Sequence, residues 1–305
     1  MRVTNHMLSA KVLQNLTKSL QEFQRINNQM SSGKAVSKPS DDPVATGRIL
    51  SLKSSLTAQK RYYGNMNDAE NFLTTTDNAL DNISESLLRV RTLMLDGGSG
   101  SVSPSDREAI ASEIDQVIDQ LIEIGNSMCG SQYIFGGHST VDKPFTRQGD
   151  LISYNGNRGE IRYEIGRGVL MAVNIDGSRL CQEIVPAADQ GNTELFNTLI
   201  EIKNNLKNNT NIEDLTGEQL SKLDELSDNV LSLRAVVGAK ENRIEMSKAR
   251  NEGDRLEITK VLSNMEDIDI AHAAMEYSEK AYVYQAALAT ASQMLTLSLV
   301  DYVAR

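Results

Sequence analysis

The first part of the chain carries apolar residues at alternating spacings of three and four. One such seam consists of Leu13, Leu16, Leu20, Phe23 and Met30, with Asn27 at the remaining seam position. This heptad spacing is typical of an amphipathic helix that packs against another helix. A polar Asn in such a seam usually fixes the register of the pair. The pattern therefore predicts an amino-terminal helix whose apolar stripe needs a partner.

The positions of proline divide the rest of the chain. The five prolines are Pro39, Pro43, Pro104, Pro144 and Pro186. Proline disrupts helix interiors, so the proline-free stretches 44–103 and 187–305 can form long helices. We expect Asp41 or Asp42 to cap a helix that has Pro43 in its first turn.

Local signals predict where this second helix ends and a third begins. The glycines from Gly97 to Gly100 are typical of a helix end. Ser103 fits an N-cap, Pro104 the first helical position and Asp106 an acidic position in the first turn. We therefore predict a short connection between two helices here.

The middle of the chain predicts strands. Strand-like runs occupy 151–154, 160–165 and 169–175. Asn155-Gly156 and Asp176-Gly177 are turn signals between them, and Gly166-Arg167-Gly168 fits a hairpin turn. The region from Gly130 to about Val185 is therefore predicted to be a small β-rich module inserted between helices.

Helical periodicity returns in the last third. We predict a helix over 193–206, a longer one with an apolar seam, and a last one that begins near Arg255. The seam of the longer helix is Leu223, Leu226, Val230, Leu233, Val237 and Ile244. The last helix repeats the three-four spacing through Ala281, Tyr284, Leu288, Ala291, Leu295 and Tyr302. We expect this stripe and the amino-terminal stripe to form an assembly interface between subunits. For residues 44–128 and 220–265, a bundle that buries its apolar seams within one subunit is an alternative.

These elements predict the fold class. It is mainly α with an inserted β-rich domain, and the two chain ends form a long antiparallel helical bundle or coiled coil. The charges agree with antiparallel pairing, since residues 1–34 have a net charge of +4 and residues 254–305 one of −4. The predicted segments are a coiled-coil assembly segment (1–40), two halves of a helical rod (41–135 and 193–270) separated by a β-rich outer domain (136–192), and a second assembly segment (271–305).

Composition and motifs argue against several classes of function. The net charge of −10 argues against nucleic-acid binding, because phosphates require a basic surface. The uncharged stretch 281–300 contains glutamine, serine and threonine, so we do not expect membrane insertion. No HExxH, GxSxG or P-loop motif occurs, and we expect no enzymatic activity, metal or cofactor. The pairs Asp41-Asp42 and Asp267/Asp269 are interpreted as helix caps or solvated side chains rather than acid-base catalysts.

One string of residues links the chain to a known family. The segment 30–43 closes with Pro39, Ser40, Asp41, Asp42 and Pro43, and it closely resembles the flagellin superfamily. Within that superfamily it is similar to the hook-filament junction proteins, known as hook-associated proteins of type 3. Three further motifs, at 133–137, 237–243 and 284–291, support the same resemblance.

This resemblance implies a location and a set of partners. It implies a secreted protein at the hook-filament junction of the bacterial flagellum, exported by the flagellar type III apparatus. The amino terminus has no apolar signal-peptide core, which agrees with export without a cleaved signal. The implied partners are further copies in a homo-oligomeric ring, the preceding hook-associated protein, flagellin, and a cytoplasmic export chaperone at the carboxy-terminal helix. The alternatives are a short filament flagellin and a cytosolic or tail-anchored coiled-coil scaffold.

Overall fold

The computed structural model describes residues 5–99, 102–181 and 193–303 of the chain. Within its first and last helices, the side chains of residues 5, 6, 8 and 294–303 are not described. The end of the predicted β-rich module, residues 182–192, also lies outside the described residues.

Long helices dominate the described part of the chain. Its helices are Asn5–Ser32 (α1), Pro43–Gly97 (α2), Pro104–Gly125 (α3), Gly177–Leu180 (α4), Glu194–Asn208 (α5), Ile212–Leu215 (α6), Glu218–Glu266 (α7) and Ile270–Val303 (α8). The predicted fold class, mainly α with a β-rich insertion and helical ends, is confirmed.

The described part of the insertion contains three separate two-stranded antiparallel hairpins. Their strands are Met128–Cys129 (β1) with Gln132–Tyr133 (β2), Phe145–Gln148 (β3) with Leu151–Tyr154 (β4), and Arg162–Gly166 (β5) with Val169–Ala172 (β6). The predicted turn at Gly166-Arg167-Gly168 is confirmed, since Gly166 pairs with Val169 and Gly168 has a φ of 71°.

The other two turn predictions were wrong. The hairpin of β3 and β4 turns at Gly149-Asp150, and Gly149 has the positive φ that this turn requires. Asn155-Gly156 follows β4 without closing a hairpin, and the Asp176 side chain caps α4 instead. Asx residues suit turns and helix caps equally, so the dipeptide alone did not separate the two.

The predicted helix starts at Pro43 and Pro104 are confirmed. Asp42 Oδ1 accepts hydrogen bonds from the Val44 and Ala45 amides, both at 2.9 Å. Ser103 Oγ accepts from the Asp106 amide at 3.3 Å, and Pro104 occupies the first turn of α3. Each cap satisfies amides that have no partner within the helix.

The last helix does not begin near Arg255. α7 continues unbroken to Glu266, and α8 begins at Ile270. Asp269 marks the new start, because its Oδ1 accepts from the amides of Ala271 at 2.9 Å and His272 at 3.2 Å. The paired carboxylates of this region thus include a helix cap.

The chain divides into two compact units. The first unit comprises Met1–Ala58 with Gly253–Arg305, and the second is Gln59–Glu252. Among the described residues, the fully buried apolar side chains of the first unit are only Ile26, Ile49, Ala273 and Ala291. The much larger remainder lies in the second unit, where all six seam residues predicted between Leu223 and Ile244 are buried. The second unit therefore has a core of its own.

Candidate assembly interface

Helices α1 and α8 pack against each other within the first unit, and they are antiparallel because positions later in α1 meet positions earlier in α8. Phe23 is central to this contact. Its ring centroid lies 5.1 Å from that of Tyr277 and 6.1 Å from that of Tyr284, nearly parallel to the latter at 5°. Ile26, three residues further along α1, is 1% exposed. Aromatic contacts of this kind bury large surfaces at low entropic cost.

Ion pairs border this aromatic contact. Lys280 Nζ lies 3.0 Å from Glu22 Oε2, and Arg25 lies 3.7 Å from Glu276. The hydrogen bond from Lys280 lowers the pKa of Glu22, and the same contact raises the pKa of Lys280. These pairs are partly exposed to solvent, so they add little stability and serve mainly to favour the antiparallel arrangement.

An apolar groove opens between the two helices near the start of α1. Its volume is about 220 Å³, and its lining residues are Ser9, Val12, Leu13, Leu16, Leu288, Ala291 and Ser292. Two leucines at its edges, Leu13 and Leu288, are exposed. A third helix could bury its side chains here as knobs into this hole.

The structure places the predicted interface residues in two groups. The first group is half-buried or buried: Leu16, Leu20, Phe23, Ala281, Tyr284 and Ala291. The group exposed to solvent is Leu13, Asn27, Met30 and Leu288. Leu295 and Tyr302 belong to the helical backbone of α8, but their side chains lie outside the described residues.

Sequence reasoning missed Ile26 of α1 and Ala273 of α8, which are 1% and 3% exposed. Ile26 lies three residues after Phe23, on the side of α1 away from Leu13 and Asn27. The available signal was the second spacing through Val12, Leu16, Phe23 and Ile26, which overlaps the chosen heptad. Two overlapping apolar stripes indicate a helix with two neighbours, of which α8 supplies one.

Apolar exposure extends over the rest of the first unit. Its other exposed large apolar side chains are Met7, Val44, Leu50, Leu256, Val261, Ile270, Met275, Tyr282 and Val283. Single exposed apolar residues are ordinary on protein surfaces. Here they outnumber the buried ones among the described residues of the same unit, which is typical of a surface that is covered in an assembly.

The links at the inner ends of α1 and α8 meet in a compact joint, formed by residues 33–35 and 266–268. The Ala35 amide donates to the Glu266 carbonyl at 2.7 Å, and the Ile268 amide donates to the Gly33 carbonyl at 3.1 Å. Gly33 has a φ of 69°, a conformation that favours glycine after a helix. The backbone of the two links is thus paired like a minimal antiparallel sheet.

A buried carboxylate accompanies this backbone pairing. Glu266 is 5% exposed and accepts from Lys34, and its Oε1 lies 2.7 Å from Lys53 Nζ. The hydrogen bonds from Lys34 and Lys53 lower the pKa of Glu266. One carboxylate therefore connects the end of α7 to the α1–α2 link and to α2.

The string Pro39 to Pro43 shapes the next part of that link. The Lys38 amide donates to Asp41 Oδ2 at 3.0 Å, and this hydrogen bond lowers the pKa of Asp41. Asp42 caps α2 and Pro43 opens it, whereas Pro39 and Ser40 are exposed in the turn. The string therefore fixes how the chain passes from α1 into α2.

The described residues show neither a metal-binding group of three or more His, Cys, Asp or Glu side chains nor a helix long and apolar enough to span a membrane. The candidate interface consists of helix faces, ion pairs and backbone contacts, which are features of surfaces that pack against other helices.

Comparison with known families decides the classification. The family model of the bacterial flagellin N-terminal helical region matches residues 3–140, and that of the C-terminal helical region matches residues 220–303. Together they cover well over half of the chain. The chain belongs to the flagellin superfamily.

Relatives within the flagellin superfamily match along almost the whole chain. Flagellar hook-associated protein 3 of Salmonella typhimurium and that of Escherichia coli are each 24% identical, over 98% of this chain and 98% of the relative. A solved structure of a putative flagellar hook-associated protein from Vibrio parahaemolyticus superposes with a TM-score of 0.67, at 21% identity, over 74% of this chain and all of that one. The sequence resemblance to this superfamily and to its hook-associated proteins is confirmed, and the structural likeness shows the same fold.

The matched regions include the whole candidate interface and also the long helices of the second unit. The two flagellin models include α1, the Pro39–Pro43 string, the joint and α8. The unmatched residues 141–219 contain the hairpins of β3 to β6 and the short helices α4 to α6. The two family models thus include the helices of the first unit that carry its exposed apolar surface.

Proposed function

We propose that this protein is a structural component of the bacterial flagellum that joins the hook to the filament. It assembles through α1 and α8, whose exposed apolar side chains are buried by neighbouring subunits. The observation that carries the proposal is the excess of exposed apolar side chains in the first unit. Among its described residues, four apolar side chains are fully buried and many are exposed. Apolar burial is the main favourable term in association, so this surface gains most from assembly.

The proposed partners follow from this role. Copies of the chain form a ring that contacts the preceding hook-associated protein on one side and flagellin on the other. A cytoplasmic chaperone covers the carboxy-terminal helix before export, and export uses the flagellar type III apparatus without cleavage of a signal. The relatives named flagellar hook-associated protein 3 support this assignment over the whole length of the chain.

A deletion strain tests the role. Cells that lack the gene should build hooks, fail to retain filaments and release flagellin into the medium. Normal filaments on such cells would refute the proposal.

The substitution Leu288→Asp tests the interface. Leu288 is 42% exposed at the edge of the groove, so an aspartate there should change the free energy of unfolding of the free subunit by less than about 1 kcal/mol. In an assembly the same charge would be buried without a partner, so filament attachment should be lost. Leu95→Asp is the matched control, since Leu95 is 44% exposed on α2 in the second unit. Equal attachment in both variants would contradict the placement of the interface at the chain ends.

A short filament flagellin is the second candidate, because flagellins define the matched family. The abundance of the protein in sheared filaments separates the two functions. A junction protein occurs in few copies per filament, whereas a flagellin is the bulk protein. A cytosolic or tail-anchored scaffold would instead stay in the cell fraction whether or not flagellar export operates.

A further inference from the structure

The joint between residues 33–35 and 266–268 contains hydrogen bonds that two short links do not need in order to connect their helices. Two short links could pass each other with solvent between them. Here they exchange two backbone hydrogen bonds, from Ala35 to Glu266 and from Ile268 to Gly33. Gln29 Nε2 also donates to the Ala35 carbonyl at 2.6 Å, which ties the end of α1 to the same link.

Glu266 occupies a position that its own helix does not favour. It is the last residue of α7, where the helix dipole is negative and repels a carboxylate. It is also almost fully buried, and a buried charge is costly unless it is paired. A residue that is unfavourable both for its helix and for its environment points to a role beyond helix stability.

The pairing of Glu266 spans three separate parts of the chain. Lys34 lies in the link after α1, Lys53 lies on α2, and Glu266 itself ends α7. The other charged group at the joint is Asp267, which adds negative charge beside Lys34. Because both cations converge on one carboxylate, removal of that charge disconnects both of them at once.

We infer that Glu266 is a positioning residue that locks the two links in register and so fixes the direction in which α1 and α8 leave the joint. α1 has 28 residues, which corresponds to a length of about 42 Å. A tilt of about 10° at the joint would move its far end by about 7 Å, which is more than one turn of helix. Interfaces between helices do not tolerate a displacement of that size, so assembly depends on the joint. This inference rests on the proposed function only for its consequence in assembly.

Amide hydrogen exchange of the free full-length protein reports on the lock directly. The amides of Ala35 and Ile268 carry the two backbone hydrogen bonds, so they should be protected in the wild type. Glu266→Gln keeps the shape of the side chain and removes its charge, and should accelerate exchange at both amides about tenfold or more. Amides of the buried seam between Leu223 and Ile244 should be unchanged.

Matched variants separate a lock from an ordinary ion pair. Glu113→Gln removes the carboxylate of the exposed pair with Arg89 and should leave Ala35 and Ile268 protected. Lys53→Met should accelerate exchange at the amides of Ala35 and Ile268. Lys53→Arg keeps the cation, so most of the protection of the wild type should remain. If Glu266→Gln fails to fold, the two Lys53 variants carry the same comparison.

The outcomes decide between the possibilities. Faster exchange at the joint together with loss of filament attachment supports the inference. Unchanged exchange in Glu266→Gln overturns it, and so does faster exchange with normal attachment, because the joint would then not direct assembly. Failure of the proposed function itself would be recognised separately, since Leu288→Asp would then retain filaments while its joint remains protected.

Discussion

At the scale of single residues, Lys203 shows how a buried charge is stabilised by ion pairs within the second unit. It is 8% exposed, and its Nζ lies 2.5 Å from Asp150 Oδ1 and 3.2 Å from Asp115 Oδ1. Arg147 approaches the same Asp115 at 2.6 Å. The network connects α3, α5 and the hairpin of β3 and β4. A buried cation with two carboxylate partners is satisfied, and it specifies where the hairpin sits on the helices.

The pH dependence of stability should report on this network. The hydrogen bond from Lys203 lowers the pKa of Asp150. The ionised Asp150 carboxylate therefore contributes fully to the free energy of unfolding above the unfolded-state pKa of about 3.9. This contribution is lost as the pH falls through the lower folded-state pKa. Asp150→Asn should be less stable than wild type at pH 7, and the two should converge in strong acid.

Urea unfolding of both proteins between pH 2 and 7 measures this difference. Asp142→Asn is the control, since Asp142 is exposed and accepts a hydrogen bond from Ser139 at 3.3 Å. A difference between wild type and Asp150→Asn that does not depend on pH would contradict the role of the Asp150 charge.

At the scale of elements, local chemistry explains most helix ends and only some turns. The caps at Asp42 and Ser103 were predictable because each stands directly before a proline that opens a helix. The break between α7 and α8 was placed too early, near Arg255. Its actual position depends on the joint, where residues distant in sequence supply hydrogen bonds to the interrupted backbone. The strands β1 and β2 were missed because two residues give too short a pattern. β3 was also missed, although it is as long as β4, which was predicted.

Glycines within helices give a prediction at this scale. Gly64 lies in the interior of α2, and a methyl group added there would meet no atom within 4 Å apart from its chain neighbours and the backbone of its own helix. Gly64→Ala should therefore stabilise the protein by about 0.5–1 kcal/mol, because alanine loses less backbone entropy on folding.

Gly125, at the end of α3, is the contrasting position. Thermal unfolding of both alanine variants measures the two effects. A Cβ at Gly125 would lie 2.7 Å from the ring of Phe145, so Gly125→Ala should destabilise by about 1–3 kcal/mol. The prediction fails if both alanines shift the midpoint in the same direction.

At the scale of the whole molecule, apolar burial is distributed unequally. The second unit contains nearly all of the fully buried apolar side chains among the described residues, and the first contains four. Packing of an apolar face supplies most of the stability of a helix in water. The two units should therefore differ greatly in local stability.

Amide exchange of the free subunit should show this difference. We expect amides of residues 9–30 and 273–291 to exchange orders of magnitude faster than those between Leu223 and Ile244, and to become protected on assembly. Equal protection of both sets in the free subunit would show that the chain ends form a self-sufficient fold, and would remove the main support for assembly through them.

The sequence by itself determined the fold class, the long helices, two of the caps and the family. These depend on local periodicity, on proline and on contiguous motifs, which can be read without knowing which segments meet. The seam of α7 was predictable for the same reason, since its spacing is regular and unambiguous.

Only the tertiary structure decided which of two overlapping stripes on α1 faces α8. It buried Ile26 and left Leu13 exposed, because the choice depends on the partner helix and not on α1 alone. It also placed the α7–α8 break and revealed Glu266, whose carboxylate meets lysines more than 200 positions away in the chain. Contacts at such sequence separations leave no periodic signal, so the joint could be found only in the folded molecule.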